Sequence, residues 1–505
     1  MPAAYTFEMT DNTTTLDFLG TTYVGLQNSL SMPPPPKRLT WAGEGMMNDG
    51  ARLTQSRYEN RTIEFDLRFV ATALGTLQSN IRTVESMLVT AREVEQSGRG
   101  TAVTLNIQLG TSGTDVTFRV LEGALTMPES FLDAPMVSTR TTVVPAHLRL
   151  TCHPLGQLPL VEEAAAVLEN EQDGGSLNYI YITGYGGTEP GLLALTIAGS
   201  GWAGSGTMWI ARRSGSGVTA TLFVQGESFA TAVEVTPPES AGAATFGTGA
   251  VVNATLSGGS SGVLRWTTPG NATATLTTGT FIQAGYQQYN MTGTAIPNGL
   301  FRVLVRGRPV TIFVSNLQTT AMGWGVGYTY GATTGTPSVT SGFKAFSNAN
   351  QGTIETLDVS EIRIPPIPSP TGTLATAGTF GLRIYSIFNS LIAGARIGSA
   401  ADPNPASAAF ELDYVFLLPI DEGAVIAAGV GSGTRLLIDG ISRTPGVYLT
   451  DASDVIQSYA THAGTPFAIG PGGTTRFYVL RDDIGDPTTI LNTLTARHRP
   501  QVGMV

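Results

Sequence analysis

Alternation of apolar and polar residues is strongest near the start of the chain. The stretch RTIEFDLRFV (residues 61–70) has an apolar side chain at every second position from Ile63, which predicts a half-buried β-strand. The period then changes. Apolar residues recur at spacings of four and three and predict an amphipathic helix of about six turns that ends at Gly98. These residues are Leu77, Ile81, Val84, Leu88, Ala91 and Val94.

Alternating strands resume after the helix in TAVTLNIQL, TDVTFRVLEG and TTVVPAHLRLTC. The order of strands, one helix and more strands predicts an α+β sandwich. The four prolines from Pro33 predict a stiff polyproline spacer. Ahead of them, TLDFLGTTYVGL has strand character and is expected to pair across a subunit boundary.

Residues 165–422 have a different pattern of apolar and polar residues. Short apolar runs such as ATLFVQG, LFRVLVRGR and TFGLRIYSI are separated by Gly, Ser, Thr and Pro, and no helical period of useful length appears. This pattern predicts an all-β sandwich or jelly roll. Its last run, FELDYVFLLPIDEG (410–423), is a mainly apolar strand that runs into Pro419 and then into two acids, which predicts a central strand covered on both faces and ended by Pro419.

The remaining residues, 423–505, again form longer strands, among them PFAIGPGGTTRFYVL with a tight turn at its glycines. About 80 residues are too few for a comfortable independent core. We therefore expect residues 1–164 and 423–505 to form one base domain, with 165–422 inserted between them. The predicted fold class is mainly β: a base sandwich with one helix and an inserted jelly roll.

Composition supports a folded, strand-rich chain. Glycine is high, at 61 of 505 residues, and charged residues are only 13%. The net charge of −10 argues against a nucleic-acid partner, since phosphates require a basic surface. Neither a run of about 18 apolar residues nor a secretory signal is present in this sequence, so no membrane partner is expected.

Catalytic and metal chemistry find little support. His147, Cys152 and His153 are near in sequence, but strand alternation puts His147 and Cys152 on opposite faces, which favours a buried thiol over a metal site. The acids of the middle region are sparse, and Asp358 and Glu361 are expected to point to opposite faces of a strand. We predict no catalytic residue, no metal and no cofactor.

Aromatic residues offer one binding hypothesis. In AMGWGVGYTYG, Trp324, Tyr328 and Tyr330 fall at even spacing, so on a strand they share a face on which a sugar could stack. Trp202, flanked by glycines, could lie on a loop. The competing interpretation, and the favoured one, is that these rings pack in the core.

The chain resembles the distal tail proteins of long-tailed bacteriophages. RTIEFDLRFV followed by NIRTVESMLVTARE resembles the start of that family's base domain, and PFAIGPGGTTRFYVL its closing strands. The middle resembles galactose-binding-like jelly rolls in NYIYITGYGGTEPGLLALTIAG, LFRVLVRGR, LDVSEIRIPP and LDYVFLLPIDE.

The resemblance implies a structural protein, not an enzyme. It implies a hexameric ring at the end of the tail tube, made in the host cytoplasm and located in the virion tail. The partners implied are the tail tube protein, tail-tip hub or fibre proteins and, for the inserted domain, host surface glycans. A tail-associated depolymerase and a secreted adhesin are the alternatives.

Overall fold

The computed structural model describes most of the strand-rich chain, and every structural statement below concerns that part. The described residues are 4–42, 52–109, 114–127, 142–169, 178–183, 185–200, 202, 205–214, 222–226, 229, 247–252, 262–267, 281–292, 297–311, 320–330, 339–340, 344–345, 354–364, 379–390, 409–442, 444–471, 474–482 and 491–503. They are mainly β, with a single α-helix among them.

We call residues 4–163 the N-terminal unit. Its elements are β1 (Ala4–Thr10), β2 (Thr15–Asp17), β3 (Tyr23–Gly25), a 3-10 turn (Gln27–Ser29), β4 (Lys37–Ala42), β5 (Arg52–Tyr58), β6 (Arg61–Ala71), α1 (Leu74–Ser97), β7 (Thr104–Leu109), β8 (Val116–Thr126), β9 (Thr142–Cys152), β10 (Gly156–Gln157) and β11 (Val161–Glu162). Hydrogen-bonded neighbours run in the order β2, β1, β7, β8, β9, β6, β3. A bridge between Leu19 and Val24 returns β3 to the end of β2, so the strands nearly close a barrel.

The two strongest local predictions are confirmed. Strand β6 alternates between buried and more exposed residues along its length, with Ile63, Phe65, Leu67 and Phe69 inside. Helix α1 buries the predicted residues together with Met87 and packs on β8 and β6. Gly98 ends the helix in the left-handed conformation (φ 70°), which glycine adopts without a steric penalty, and its N–H donates to the Val94 carbonyl.

A second unit, the junction unit, combines strands from two distant parts of the chain. They are β12 (Ala166–Glu169), β13 (Tyr179–Ile182), β14 (Glu189–Ser200), β15 (Ser205–Ser214), β27 (Ala424–Gly431), β28 (Arg435–Asp439), β29 (Gly446–Thr450), β30 (Ile456–Tyr459), β31 (Thr461–Gly464), β32 (Ala468–Ile469), β33 (Thr475–Arg481) and β34 (Leu491–Val502). One sheet runs β34, β14, β28, β29, β30, and the other runs β13, β33, β15, β27, β31. Their facing side chains form one core, which includes Leu195, Ile210 and Val479.

The last strand, β34, joins the first two units. One edge pairs with β10, β11 and β12, and the other pairs with β14 from residue 189 to residue 200. Because β10 also pairs with β8, the sheet continues from the N-terminal unit into the junction unit. The side chain of Arg61, buried in the N-terminal unit, adds a hydrogen bond to the carbonyl of Gly503 beyond β34.

The strands between β15 and β27 form the peripheral unit, residues 222–419. They are β16 (Phe223–Gln225), β17 (Gly247–Val252), β18 (Gly262–Thr267), β19 (Phe281–Thr292), β20 (Gly299–Thr311), β21 (Thr320–Tyr330), β22 (Val339–Thr340), β23 (Lys344–Ala345), β24 (Glu355–Ile364), β25 (Thr379–Ser390) and β26 (Ala409–Pro419). One sheet contains β17, β18, β26, β20, β24 and β16, and the other contains β19, β25, β21, β22 and β23. Residues of both sheets share one core.

Strand β26, the apolar run of the sequence, is buried from Glu411 to Pro419. It lies between β20 on one side and β18 and β16 on the other. Its core extends beyond the peripheral unit, since the Phe416 ring lies 6.0 Å from the Tyr478 ring of the junction unit. From Tyr414 to Leu418 the strand is therefore apolar on both faces.

The predicted division at residues 164 and 422 stays a prediction, and strand pairing favours a later start for the insertion. Strands β14 and β15 pair with β34, β33, β28 and β27, all of which follow residue 423. The two ends of the peripheral unit meet where the Ser214 N–H donates to the Glu422 carboxylate at 2.6 Å. We propose that the inserted segment runs from residue 215 to residue 421.

This proposal predicts the outcome of excision. Ala211 and Ala424 are register partners on antiparallel strands, so joining Ser214 to Glu422 through Asn-Gly should convert β15 and β27 into a hairpin. Removal uncovers Trp209, Tyr478 and Leu480, which belong to the peripheral core. We expect a shortened chain that melts cooperatively, with the α1 signal in circular dichroism retained, but that binds a hydrophobic dye more strongly than the full chain. Excision of residues 165–422, which also removes β14 and β15, is the control and should abolish cooperative melting. The opposite ranking would contradict the proposed boundary.

Candidate assembly surface

The N-terminal unit contains a two-stranded hairpin, β4 and β5, which we call the arm. Strands β4 and β5 pair with each other, from Lys37 opposite Tyr58 to Ala42 opposite Arg52, and within the described residues they share no sheet with another strand. The sequence prediction treated this region as a spacer after the prolines and missed the hairpin. The alternation in KRLTWA and RLTQSRY, with glycines between the two stretches, is the signal that could have found it.

The base of the arm is held in place. The Glu59 N–H donates to the Pro36 carbonyl at 2.7 Å, which closes the hairpin where the prolines end. The Tyr58 hydroxyl donates to the Glu189 carboxylate at 2.7 Å, and this bond, with burial and the carboxylate's charge, raises the pKa of Tyr58. Lys37 Nζ lies 5.3 Å from the centre of the Tyr58 ring. The contacts of the base therefore orient the arm against β14.

The arm is basic on an acidic chain. Residues 37–58 contain four cations and two acids, a net charge of +2, whereas the whole chain carries −10. The cations are Lys37, Arg38, Arg52 and Arg57. A partner surface for this arm is therefore expected to offer carboxylates.

A groove with exposed carboxylates lies on the same unit. Its volume is about 440 Å³, and its lining includes Leu26, Leu67, Met127, Pro145 and Ala146, with Asp66, Arg68 and His147 among its polar residues. On the outer face of β6 and β9, His147 Nδ1 lies 2.9 Å from Asp66 Oδ1 and Arg149 Nε lies 3.0 Å from Glu64 Oε1. All four side chains are at least one-third exposed, so the carboxylates can accept further donors.

The segment TLDFLGTTYVGL, predicted to pair across a subunit boundary, forms strands within its own unit. Strand β2 pairs with β1, and β3 pairs with β6. The Gly25 N–H also donates to the Phe18 carbonyl at 2.8 Å, which brings the two halves of the segment together. Each strand uses an edge inside its own unit, while β2 ends the order of its sheet, so pairing across a subunit boundary stays a prediction.

The predicted aromatic candidates do not form one exposed surface. Trp202 is 5% exposed in the junction core, where its Nε1 donates to the Asn492 side-chain oxygen at 3.0 Å. Trp324 and Tyr328 lie in the peripheral core, 0% and 2% exposed. The Tyr330 side chain lies outside the described residues, although its backbone ends β21. Burial leaves the three described rings without a face on which a sugar could stack.

The candidate metal ligands on β9 lie on opposite faces. His147 is exposed on the outer face, while Cys152 is buried, and burial raises the pKa of its thiol to about 12. Burial is also the main cause that lowers the pKa of His153. Within the described ranges, no three His, Cys, Asp or Glu side chains are arranged to hold a metal ion.

Asp358 and Glu361 do not point to opposite faces, and that prediction is wrong. Arg302 Nε lies 2.6 Å from Asp358, and Arg302 Nη1 lies 3.8 Å from Glu361. The reason is a bulge in β24. Val303 is opposite Ser360 and Leu304 is opposite Asp358, so one residue of β24 is skipped and the alternation shifts.

Helix α1 is not apolar enough to cross a membrane, and it is the one α-helix in the described part of the chain.

Known proteins offer distant likenesses. No protein-family model and no curated protein matches the chain. The crystal structure of SPP1 Dit (gp 19.1), a hub adsorption apparatus protein of Gram-positive infecting phages, is 12% identical and covers 39% of this chain and 72% of its own, with a TM-score of 0.23. The phage P2 baseplate in its activated conformation with Ca is 9% identical, and the phage p2 baseplate with Sr 10% identical. Each covers 76% of this chain and 97% of its own, with a TM-score of 0.19.

Proposed function

We propose that this protein is a structural subunit of a bacteriophage tail tip or baseplate, a distal or minor tail protein. Its N-terminal unit forms a ring at the end of the tail tube, and the peripheral unit lies outside that ring. The tail tube protein and the tail-tip hub or fibre proteins are the proposed partners. Assembly in the host cytoplasm precedes incorporation into the virion tail.

The observation that carries the proposal is the self-paired basic arm on the N-terminal unit. A two-stranded hairpin is marginally stable alone, so an arm that pairs only with itself in the described structure is best accounted for by a neighbouring surface that covers it. Proline residues 33–36 and the Tyr58–Glu189 hydrogen bond orient the arm before any neighbour arrives.

We propose that the surface covering the arm is the groove of a second copy of the chain. Its apolar lining suits the Leu39, Trp41 and Leu53 of the arm's sequence. Asp66 in the lining and Glu64, two residues before it on β6, suit the arginines of the arm. Arm and groove are different surfaces of one chain, so the contact is heterologous, and repetition around an axis closes a ring. The order of six is taken from the resemblance to distal tail proteins.

Ion pairing in the peripheral unit supports a structural role there. The acids of β26 face arginines of β20: Asp413 lies 3.3 Å from Arg306, with both side chains 1% exposed, and Glu411 lies 2.7 Å from Arg308. Removing either partner of a buried ion pair leaves an uncompensated charge and destabilises the fold. These acids therefore hold the sheet together.

Labelling of intact phage particles tests the proposed location. A gold-conjugated antibody against this chain should mark the end of the tail tube in electron micrographs. Labels on the capsid or along the whole tail would contradict the proposal. Particles lacking the gene product, which should show no label, are the control for antibody specificity.

A further inference from the structure

An aromatic and cationic cluster lies at the edge of the junction unit. Strand β13 is an edge strand, and its Tyr179 is opposite Tyr478 while its Tyr181 is opposite Arg476. Arg476 is in turn opposite Arg213 of β15. The register therefore places three phenol rings and two guanidinium groups on one face of the sheet.

The rings of Tyr179 and Tyr181 are perpendicular to each other. Tyr179 and Tyr181 meet at right angles with their centres 5.0 Å apart, and their hydroxyl oxygens are 3.1 Å apart. Tyr179 also packs on Tyr478 at 5.2 Å. The guanidinium carbon of Arg476 lies 4.8 Å from the Tyr181 ring centre and 5.2 Å from that of Tyr179. Each ring thus contacts a neighbour that fixes its orientation.

Exposure differs sharply across the cluster. Tyr181 is 42% exposed, whereas Arg213 is 8% and Arg476 is 7% exposed. The most exposed of these three side chains is therefore a flat aromatic ring, whereas the two arginines are buried. Burial, first, and the bond to Tyr181 raise the pKa of Tyr179 to about 12.

Arg213 retains hydrogen-bonding capacity. Its Nη2 donates to the Asn298 carbonyl at 2.9 Å and lies 3.2 Å from the Asn298 side-chain oxygen, and its guanidinium lies over the Phe301 ring. Its Nη1 is buried and has no hydrogen-bond partner among the described residues. The nearby carboxylate of Glu422 accepts from Ser214 and pairs with Arg212. A buried guanidinium nitrogen without a partner favours an incoming acceptor.

We propose that this cluster binds an anionic saccharide, a sugar ring that carries a carboxylate or a phosphate. The apolar face of the sugar stacks on Tyr181, and its anionic group accepts from Arg213 and Arg476, which suit the two oxygens of such a group. A bare anion would use the guanidinium groups alone and a neutral sugar the rings alone. That the saccharide comes from a host surface rests on the proposed function in a tail tip. Binding of the saccharide does not, since every residue of the cluster belongs to this chain.

Calorimetry on the purified full-length chain tests the proposal, whatever its state of assembly. The probes are glucuronic acid and galactose 6-phosphate, with galactose and inorganic phosphate for comparison. We expect at least one anionic sugar to bind about tenfold or more tightly than galactose and inorganic phosphate. The preferred anionic sugar identifies carboxylate or phosphate as the group recognised.

Three variants locate the binding. Tyr181→Ala should weaken it about tenfold and Tyr181→Phe should retain most of it, because the stacking ring remains. Arg213→Gln should weaken it about tenfold or more through the lost charge-assisted bond. Tyr459→Ala is the matched control, since Tyr459 is 73% exposed on β30, and it should leave binding unchanged.

Several results would overturn the proposal. They are the failure of both anionic sugars to bind, equal binding of galactose, equal binding of inorganic phosphate, and unchanged affinity in Tyr181→Ala. Because Tyr181 is exposed on an edge strand, Tyr181→Ala is expected to fold, so the test does not depend on the buried Arg213. A chain that binds the sugar but never enters a tail would contradict the proposed function and leave this site standing.

Discussion

Removal of β34 is expected to unfold the N-terminal unit and the junction unit together. Residues 491–502 supply the pairing partner of β10, β11 and β12 on one edge and of β14 on the other. A chain that ends at residue 490 would leave these edges unpaired and uncover Leu195 and Ile197 of the junction core. We expect insoluble protein or a soluble product without a cooperative thermal transition in calorimetry.

A matched pair of substitutions gives the same test in a full-length chain. Even-numbered residues of β34 are buried and odd-numbered ones are half-buried, so Ala496 is 0% exposed whereas Thr495 is on the other face. Ala496→Asp places an unpaired carboxylate in the core and should cost on the order of 4 kcal/mol of unfolding free energy. Thr495→Asp should cost about 1 kcal/mol or less. Similar losses for the two variants, measured in urea, would contradict the central position of β34.

Removal of the arm is expected to prevent ring closure without unfolding the subunit. Lys37 and Tyr58 are register partners, so replacing residues 38–57 by Asn-Gly keeps the base of the arm and its bond to Glu189. The full-length chain should assemble to a multiple of 52.8 kDa in light scattering, and the deletion should give single subunits. Its melting temperature as a subunit should change by only a few degrees, since the described strands of the arm pair with each other.

Charge reversal in the arm separates the contribution of its charge to assembly from the contribution of its shape. Arg38 and Arg57 are opposite each other, and replacing both with Glu should weaken assembly at low salt more than at high salt. Arg92→Glu, on the exposed face of α1, is the control and should leave the assembled mass unchanged. A full-length chain that assembles equally well without its arm would refute the arm's role.

Local elements could be predicted from the sequence because they depend on neighbours along the chain. The period of α1 and the alternation of β6 each show which side chains share a face, and Gly98 marks a helix end. The same rule placed Trp324 and Tyr328 on one face of β21. Spacing does not reveal whether that face meets solvent or another sheet, and here it meets the peripheral core.

Pairing between distant strands could not be predicted. Ile197 and Leu494 are register partners almost three hundred residues apart, and nothing in either strand's pattern selects the other. The insertion was therefore predicted to begin at residue 165, before β14 and β15. A bulge is equally invisible in the sequence pattern. One skipped residue in β24 brings Asp358 and Glu361 to the same arginine, Arg302. The Tyr179, Tyr181, Arg476 and Arg213 cluster also exists only through register.

The rotational symmetry of the ring in intact tails tests the central claim most directly. Electron cryomicroscopy of the phage particles should show a sixfold ring at the end of the tail tube. Density for the N-terminal unit should lie in that ring, with the arm of each copy against its neighbour and the peripheral unit outside. A ring of another order built from this chain, or its density anywhere other than the tail, would contradict the account.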